Sequence, residues 1–149
     1  MAGKSPKLKT LNASKLKVAV VSASWHPEIC SSLIDGAKRA LAVNKVSYHE
    51  VSGSFELPLA AQKLFDSGID AVVVLGLILK GDTPHFDYIC EGVTNGIMQV
   101  SLSRSKPIGF GVLMCNTLKQ ARDRAGFVDS KEDKGFDAAV AAINSALNY

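Results

Sequence analysis

Apolar positions along the chain follow two different spacings, which predicts alternating strands and helices. Short continuous apolar runs predict buried strands at residues 17–22 and 71–79, and two further strands are predicted at residues 46–51 and 107–114. Apolar residues that recur every three or four positions predict helices at residues 27–41, 55–65, 84–100 and 133–147, with a short helix after Thr117. Strands that alternate with helices are typical of an α/β fold with a parallel sheet covered on both faces.

Residues that favour helix ends support these boundaries. Pro27 and Pro84 suit first helical turns, and Thr83 is placed to cap the helix that Pro84 opens. Thr117 and Gln120 have the spacing of a capping box for a short helix that ends near Gly126. In the fourth strand, the glycines at 109 and 111 indicate a close approach by a ligand or another chain.

Polar residues follow each predicted strand. In a parallel sheet, ligands bind beyond the carboxyl ends of the strands. We therefore expect residues 22–26, 52–56, 77–85 and 114–117 to lie along one edge of the sheet.

The segment from Lys80 to His85 is the strongest candidate for chemistry. Gly81 permits a tight turn, and the first-turn N–H groups of the next helix, together with its dipole, favour a phosphate. Lys80 supplies a counter-charge that Asp82 opposes. His85 carries an imidazole, a side chain suited to transferring protons, although a surface or capping histidine is an equal alternative on spacing alone.

Four further residues have both a functional and an ordinary interpretation. Trp25, at the end of the first strand, can stack on a flat heteroaromatic ring or simply pack. Glu56 can accept hydrogen bonds from ligand hydroxyls or favour a helix start. Arg124 and Lys134 can each meet a phosphate, but surface cations are common.

Charge and composition exclude several classes of function. The 149 residues carry a net charge of +3, and five lysines fall in the first 17 residues without an acidic residue. We interpret residues 1–14 as a flexible basic segment and residues 15–149 as one domain. The body lacks a basic stripe with interleaved aromatics, which argues against nucleic-acid binding. No apolar run approaches the roughly 20 residues of a membrane span, and no secretory signal is recognisable.

Other motifs point away from metals and nucleotides. The three cysteines are far apart, as in reduced cytoplasmic proteins, and the three histidines lack metal-ligand spacing. Neither a P-loop nor a dinucleotide-binding glycine motif nor a nucleophile elbow occurs.

Several motifs together resemble the lumazine synthase family. The most specific is GLILKGDTPHFDY at residues 76–88. Supporting matches are GSFELP at 53–58, FGVL at 110–113, QA at 120–121, RAG at 124–126 and KG at 134–135. The resemblance covers roughly residues 17–147.

The resemblance implies a flavodoxin-like, three-layer α/β/α sandwich with a four-stranded parallel sheet. It implies condensation of 5-amino-6-(D-ribitylamino)uracil with 3,4-dihydroxy-2-butanone 4-phosphate to 6,7-dimethyl-8-ribityllumazine, with loss of phosphate and water and without a metal or organic cofactor. The alternative is a flavin- or lumazine-binding protein that has kept this fold but not the turnover.

The resemblance also assigns roles to individual residues. Trp25 would stack on the pyrimidine, and His85 would transfer protons. The ribityl chain and the ring would be held by Ser54, Phe55, Glu56, Leu77, Ile78, Leu79 and Phe110. The phosphate would be bound by Asp82, Thr83, Arg124 and Lys134.

An oligomer with shared active sites is a further implication. Phe110, Arg124 and Lys134 match positions that reach across from a neighbouring subunit in this family. The connection 127–133 is longer than in icosahedral members, which favours a homopentamer over a sixty-subunit shell. Riboflavin synthase is a possible protein partner. Two departures from the family, tryptophan at 25 for a frequent phenylalanine and serine at 52 for a frequent proline, remove no reacting group.

Overall fold

The computed structural model describes Gly3, Pro6 and residues 14–149. The predicted flexible basic segment 1–14 therefore lies almost wholly outside the described residues. Strands and helices alternate along the chain, as the apolar spacing predicts. In chain order they are β1 Lys17–Ala23, α1 Pro27–Ala40, β2 Lys45–Val51, α2 Leu57–Asp66, β3 Ala71–Leu79, α3 His85–Arg104, β4 Ile108–Cys115, α4 Leu118–Arg122 and α5 Lys134–Asn148.

The four strands form one parallel sheet in the order β2-β1-β3-β4. Helices α1 and α5 cover one face of the sheet, while α2 and α3 cover the other. The faces taken by α1, α2 and α3 follow from right-handed crossovers, because the chain steps from β1 to β2 in one direction and from β2 to β3 and β3 to β4 in the other. The predicted α/β/α sandwich with a four-stranded parallel sheet is confirmed.

Two apolar cores lie on opposite faces of the sheet. Alternate residues of β3 point to each side, with Val73 and Leu75 facing α1 and α5, and Val72 and Val74 facing α2. All of β3 except its last residue is buried, which explains its unbroken apolar sequence. The packing of β3 between the two cores thus fixes the position of its carboxyl end, residues 77–79.

The two glycines of β4 are explained by a close approach within the chain, and not by the ligand or second chain that the sequence suggested. A Cβ atom at Gly109 would lie 2.1 Å from the carbonyl oxygen of Ala138, and one at Gly111 would lie 2.5 Å from Leu75. The close approach is therefore made by helix α5 and the neighbouring strand of the same chain. The expectation of a ligand or another chain at these glycines is not needed to explain them.

Helix ends confirm some capping predictions and correct one. Thr117 accepts a hydrogen bond from the N–H of Gln120 at 3.2 Å, and the predicted capping box is present. Helix α4 ends at Arg122, earlier than expected. Helix α3 begins at His85, with Pro84 at the cap position and no side-chain cap. Thr83 thus stands one residue before the cap.

Among the described helices, none is both long enough and apolar enough to cross a membrane.

Candidate active site

A pocket of about 350 Å³ opens at the carboxyl ends of β1, β2 and β3. Its size falls within the range of small-molecule sites. The pocket lies beside the position in the sheet where the strand order reverses. There the connections that leave the neighbouring strands β1 and β3 run to opposite faces of the sheet and so diverge. Of the four segments expected along this edge, those after β1, β2 and β3 line the pocket.

The end of β3 supplies an apolar wall. Leu77, Ile78 and Leu79 line the pocket, the first two buried and the third partly so. The strand is fixed there because the N–H of Lys80 donates to the carbonyl oxygen of Cys115 at 2.9 Å. A flat ligand against this wall would meet apolar side chains and the main chain of the strand end.

A single 3-10 turn at Ser54–Glu56 forms the second wall. The Glu56 carboxylate accepts a hydrogen bond from the N–H of Gly53 at 2.9 Å, which ties the turn to the end of β2. Ser54 is buried against β3, where Gly76 leaves room for its hydroxyl. Phe55 is 58% exposed, and its ring lies beside Gly92 of α3. Burial of Ser54 thus leaves Phe55 and Glu56 at the pocket surface.

Trp25 forms the third wall and is 68% exposed. A Cβ atom at Gly53 would lie 3.5 Å from the indole, so the ring packs against that glycine. The thiol of Cys30 donates to the carbonyl oxygen of Trp25 at 3.2 Å and anchors the turn from below. Burial raises the pKa of the Cys30 thiol, which keeps it a neutral donor.

His26 also lines the pocket, although the sequence gave no reason to assign it a role. Its backbone is left-handed, with φ of 55°, an uncommon conformation outside glycine. The His26 and Trp25 ring centroids are 6.4 Å apart. The feature of the sequence that could have indicated a role for His26 is its position directly after Trp25. Phe86 and Ile89 of α3 are the other lining side chains that the sequence did not single out.

The start of α3 closes the pocket. Gly81, Thr83 and His85 line it, and His85 is exposed at the first position of the helix. The hydroxyl of Thr83 accepts a long hydrogen bond of 3.4 Å from the N–H of His85. Because α3 has 20 residues, its amino terminus carries the positive end of a substantial dipole. An anion and a titratable imidazole can therefore meet at one place.

The predicted site residues divide into two groups. Those that line the pocket are Trp25, Ser54, Phe55, Glu56, Leu77, Ile78, Leu79, Thr83 and His85. Those that do not line it are Asp82, Phe110, Arg124 and Lys134. Asp82 is exposed between two lining residues. Phe110 lies on the edge strand β4 and is partly exposed.

Arg124, in the connection after α4, and Lys134, the first residue of α5, lie close together. The Glu132 carboxylate lies 3.2 Å from the Lys134 ammonium and 3.7 Å from Nε of Arg124. The Arg124 guanidinium also donates to the carbonyl oxygen of Gln120 at 2.9 Å. The structure therefore brings the two predicted phosphate ligands together, but apart from the pocket of their own chain.

Within residues 14–149, no group of three histidine, cysteine, aspartate or glutamate side chains is arranged to hold a metal ion.

Comparison with known proteins gives one consistent family. The family model for 6,7-dimethyl-8-ribityllumazine synthase matches residues 15–148. A protein of that name from Streptomyces coelicolor is 48% identical over 150 residues, with 98% of this chain and 93% of the relative covered. Another from Kocuria rhizophila is 52% identical over 141 residues, with 93% and 90% covered. The chain therefore belongs to the 6,7-dimethyl-8-ribityllumazine synthase family.

Proposed function

We propose that the protein is a transferase that condenses 5-amino-6-(D-ribitylamino)uracil with 3,4-dihydroxy-2-butanone 4-phosphate. The product is 6,7-dimethyl-8-ribityllumazine, and the reaction is the penultimate step of riboflavin biosynthesis. The observation that carries the proposal is the pocket itself. It joins an exposed indole, a carboxylate and a histidine at a helix amino terminus, in the chain of a lumazine synthase family member.

Trp25 and the end of β3 are proposed to hold the pyrimidine. The exposed indole face offers a stacking surface, and Leu77, Ile78 and Leu79 offer apolar contact and main-chain hydrogen bonds. A flat heteroaromatic ring matches such a slot. The ring of Phe110 is proposed to approach it from a neighbouring subunit.

The 3-10 turn is proposed to hold the ribityl chain. Main-chain groups of Ser54 and Phe55 and the Glu56 carboxylate lie side by side on the pocket wall. A polyol has several hydroxyl donors, and a carboxylate accepts such bonds strongly. The hydrogen bond from Gly53 already fixes this carboxylate, so little ordering remains for the ligand to impose.

The amino terminus of α3 is proposed as the place of phosphate departure. The amine of the pyrimidine adds to the ketone and forms an imine with loss of water. Phosphate then leaves, and ring closure with loss of a second water gives the lumazine. In this proposal His85, which lines the pocket at the start of α3, would transfer protons in these steps, and main-chain N–H groups of Asp82 and Thr83 would receive the phosphate.

Orientation is expected to supply most of the acceleration, since it converts a bimolecular condensation into a reaction of neighbouring groups. The steps exchange no electrons with an external acceptor. The proposed reaction therefore needs no redox cofactor.

A homo-oligomer with shared active sites is part of the proposal. The cation pair Arg124 and Lys134 lies outside the pocket of its own chain, and an exposed Phe110 stands on the open edge strand. A neighbouring copy that presents these three residues would complete the site. We propose a homopentamer, with a sixty-subunit shell as the alternative and riboflavin synthase as a candidate partner in the cytoplasm.

Turnover provides the direct test. The purified protein is mixed with both substrates, and product formation is followed by lumazine absorbance and fluorescence. A rate no faster than without protein would reject the synthase and favour a binding protein. Arg124→Ala should raise the KM for the butanone phosphate far more than that for the pyrimidine. Equal effects on both would reject the assignment of Arg124, and sedimentation would decide the assembly.

A further inference from the structure

Arg124 and Lys134 face each other across a closed loop. Residues Ala125 and Asp133 form an antiparallel bridge. The N–H of Lys134 donates to the carbonyl oxygen of Arg124 at 2.9 Å. Arg124 and Lys134 are therefore directly opposite each other in this antiparallel pairing. Side chains in such positions project from the same face, and two like charges there repel each other. The loop therefore places two cations side by side and requires an anion near them.

Glu132 supplies that anion. It stands diagonally across the ladder from Arg124, and its carboxylate contacts both cations, at 3.2 Å from Lys134 and 3.7 Å from Arg124. Its main chain is held on both sides: its N–H donates to the carbonyl oxygen of Asp123 at 2.9 Å, and its carbonyl oxygen accepts from the N–H of Gly126 at 3.1 Å. These main-chain bonds thus hold Glu132 beside the two cations that its carboxylate contacts.

Among the described ion pairs, no neighbouring acidic residue other than Glu132 contacts both cations. Asp133 pairs with Arg39 and accepts a hydrogen bond from the first turn of α5. Asp123 pairs with Lys119 and Lys131. Asp137 lies 3.9 Å from Lys134, and burial raises the pKa of its carboxyl group. Among the described ion pairs, Glu132 is the residue whose carboxylate reaches both cations.

We propose that Glu132 is an internal counter-anion that competes with phosphate groups for the Arg124–Lys134 pair. The inference rests on the proposed function, in which these two cations meet the phosphate of the substrate. The cluster is open to ligands, since the side chains of Arg124, Lys134 and Glu132 are 43%, 32% and 27% exposed. A substrate phosphate must share the cations with Glu132, which weakens the binding of both the phosphorylated substrate and the released phosphate.

The test is the substitution Glu132→Gln, which keeps the shape and removes the charge. We expect the KM for the butanone phosphate and the inhibition constant of inorganic phosphate each to fall by about three- to tenfold, the size expected when one like charge near a surface phosphate is removed. The KM for the pyrimidine should stay unchanged. Glu132→Asp, which retains the charge, should restore values near those of the parent protein.

A matched control is Glu28→Gln. The Glu28 carboxylate pairs with Arg122 at 2.6 Å and is exposed, so this variant has the same net charge and also loses one ion pair. It should leave the KM values of both substrates and phosphate inhibition unchanged. Circular dichroism and sedimentation verify that each variant keeps the parent fold and assembly.

The outcomes separate the two proposals. If the parent protein forms lumazine but Glu132→Gln has an unchanged KM for the phosphate substrate, Glu132 does not compete and the inference is wrong. A raised KM would overturn it as well, because Glu132 would then position the cations. If the parent protein forms no lumazine, the proposed function fails. Calorimetric titration with inorganic phosphate still tests the competition, with tighter binding expected in Glu132→Gln and equal binding contradicting it.

Discussion

Gly76→Ala tests how the central strand positions the wall of the pocket formed by the 3-10 turn Ser54–Glu56. A Cβ atom at position 76 would lie 2.8 Å from the Ser54 hydroxyl oxygen and 3.2 Å from the Cβ of Ala23. The first distance is too short for real side chains, and Ser54 is buried with little space to withdraw. The methyl group should therefore push the 3-10 turn away from β3 and displace Glu56 with it.

The expected cost follows from two opposing effects. Overpacking of a tight interior typically costs about 1–3 kcal/mol. Replacing glycine by alanine restricts the unfolded chain and returns about 0.4–1 kcal/mol. Gly76→Ala should therefore lower the free energy of unfolding by about 1–2 kcal/mol. It should also raise the KM for the ribitylated pyrimidine more than the KM for the butanone phosphate.

Urea denaturation measures the free energy of unfolding. All variants are compared at one fixed protein concentration, because subunit association would make the midpoint of unfolding depend on concentration. Gly81→Ala is the matched control, since a Cβ atom there would meet nothing within 4 Å. Its free energy of unfolding should stay close to that of the parent protein. Steady-state kinetics with each substrate varied in turn gives the two KM values.

A double-mutant cycle with Ser54→Ala decides whether the clash is the cause. In that background the hydroxyl is absent, and the tightest contact left among those of the Cβ atom is the 3.2 Å approach to Ala23. The cost of Gly76→Ala should shrink accordingly. An equal cost in both backgrounds would refute the reasoning, as would a fully stable Gly76→Ala protein with an unchanged KM for the pyrimidine.

Further substitutions test the other walls and the core. His85→Ala should lower kcat by about 10²-fold or less, because orientation remains; a complete loss of turnover would contradict this. Trp25→Ala should raise the KM for the pyrimidine by about two- to tenfold while Trp25→Phe stays near the parent value, since stacking needs only a flat ring; equal KM values in both variants would exclude stacking. Gly135→Ala would place a Cβ atom 2.0 Å from the carbonyl oxygen of Leu33, so unfolding in urea should show a loss of about 3 kcal/mol or more, and a loss below 1 kcal/mol would mean that α1 and α5 separate easily. Because burial raises the pKa of the Cys30 thiol, mass spectrometry should find slow alkylation by iodoacetamide at pH 8 in the native protein and fast alkylation in urea; fast native labelling would show that the turn under Trp25 opens.

Local patterns predicted local structure well. The bounds of β3 agree with its apolar run from Ala71 to Leu79, because a strand buried on both faces admits no polar residue. The capping box of Thr117 and Gln120 was also predictable, since both partners lie within one turn. The start of α3 was misplaced by one residue, because proline and threonine both suit the positions around a helix cap.

Interactions between distant segments were not predictable in this way. The glycines at 109 and 111 were recognised as unusual, but their reason is the close approach of α5 and β3. Likewise, Arg124 and Lys134 were recognised separately as cations. Their opposition across a bridge, with Glu132 between them, depends on how the loop closes.

The sequence by itself therefore determined the order of strands and helices, the parallel sheet and the family, together with the segments that end at the carboxyl edge. These properties depend on periodicity and on short motifs, which act over a few residues. Only the tertiary structure decided which of those segments share a pocket and which lie apart from it. Trp25, Glu56 and His85 converge because strand order reverses beside them. Arg124 and Lys134 come after the edge strand β4 in the chain, at the two sides of the connection that leads into α5.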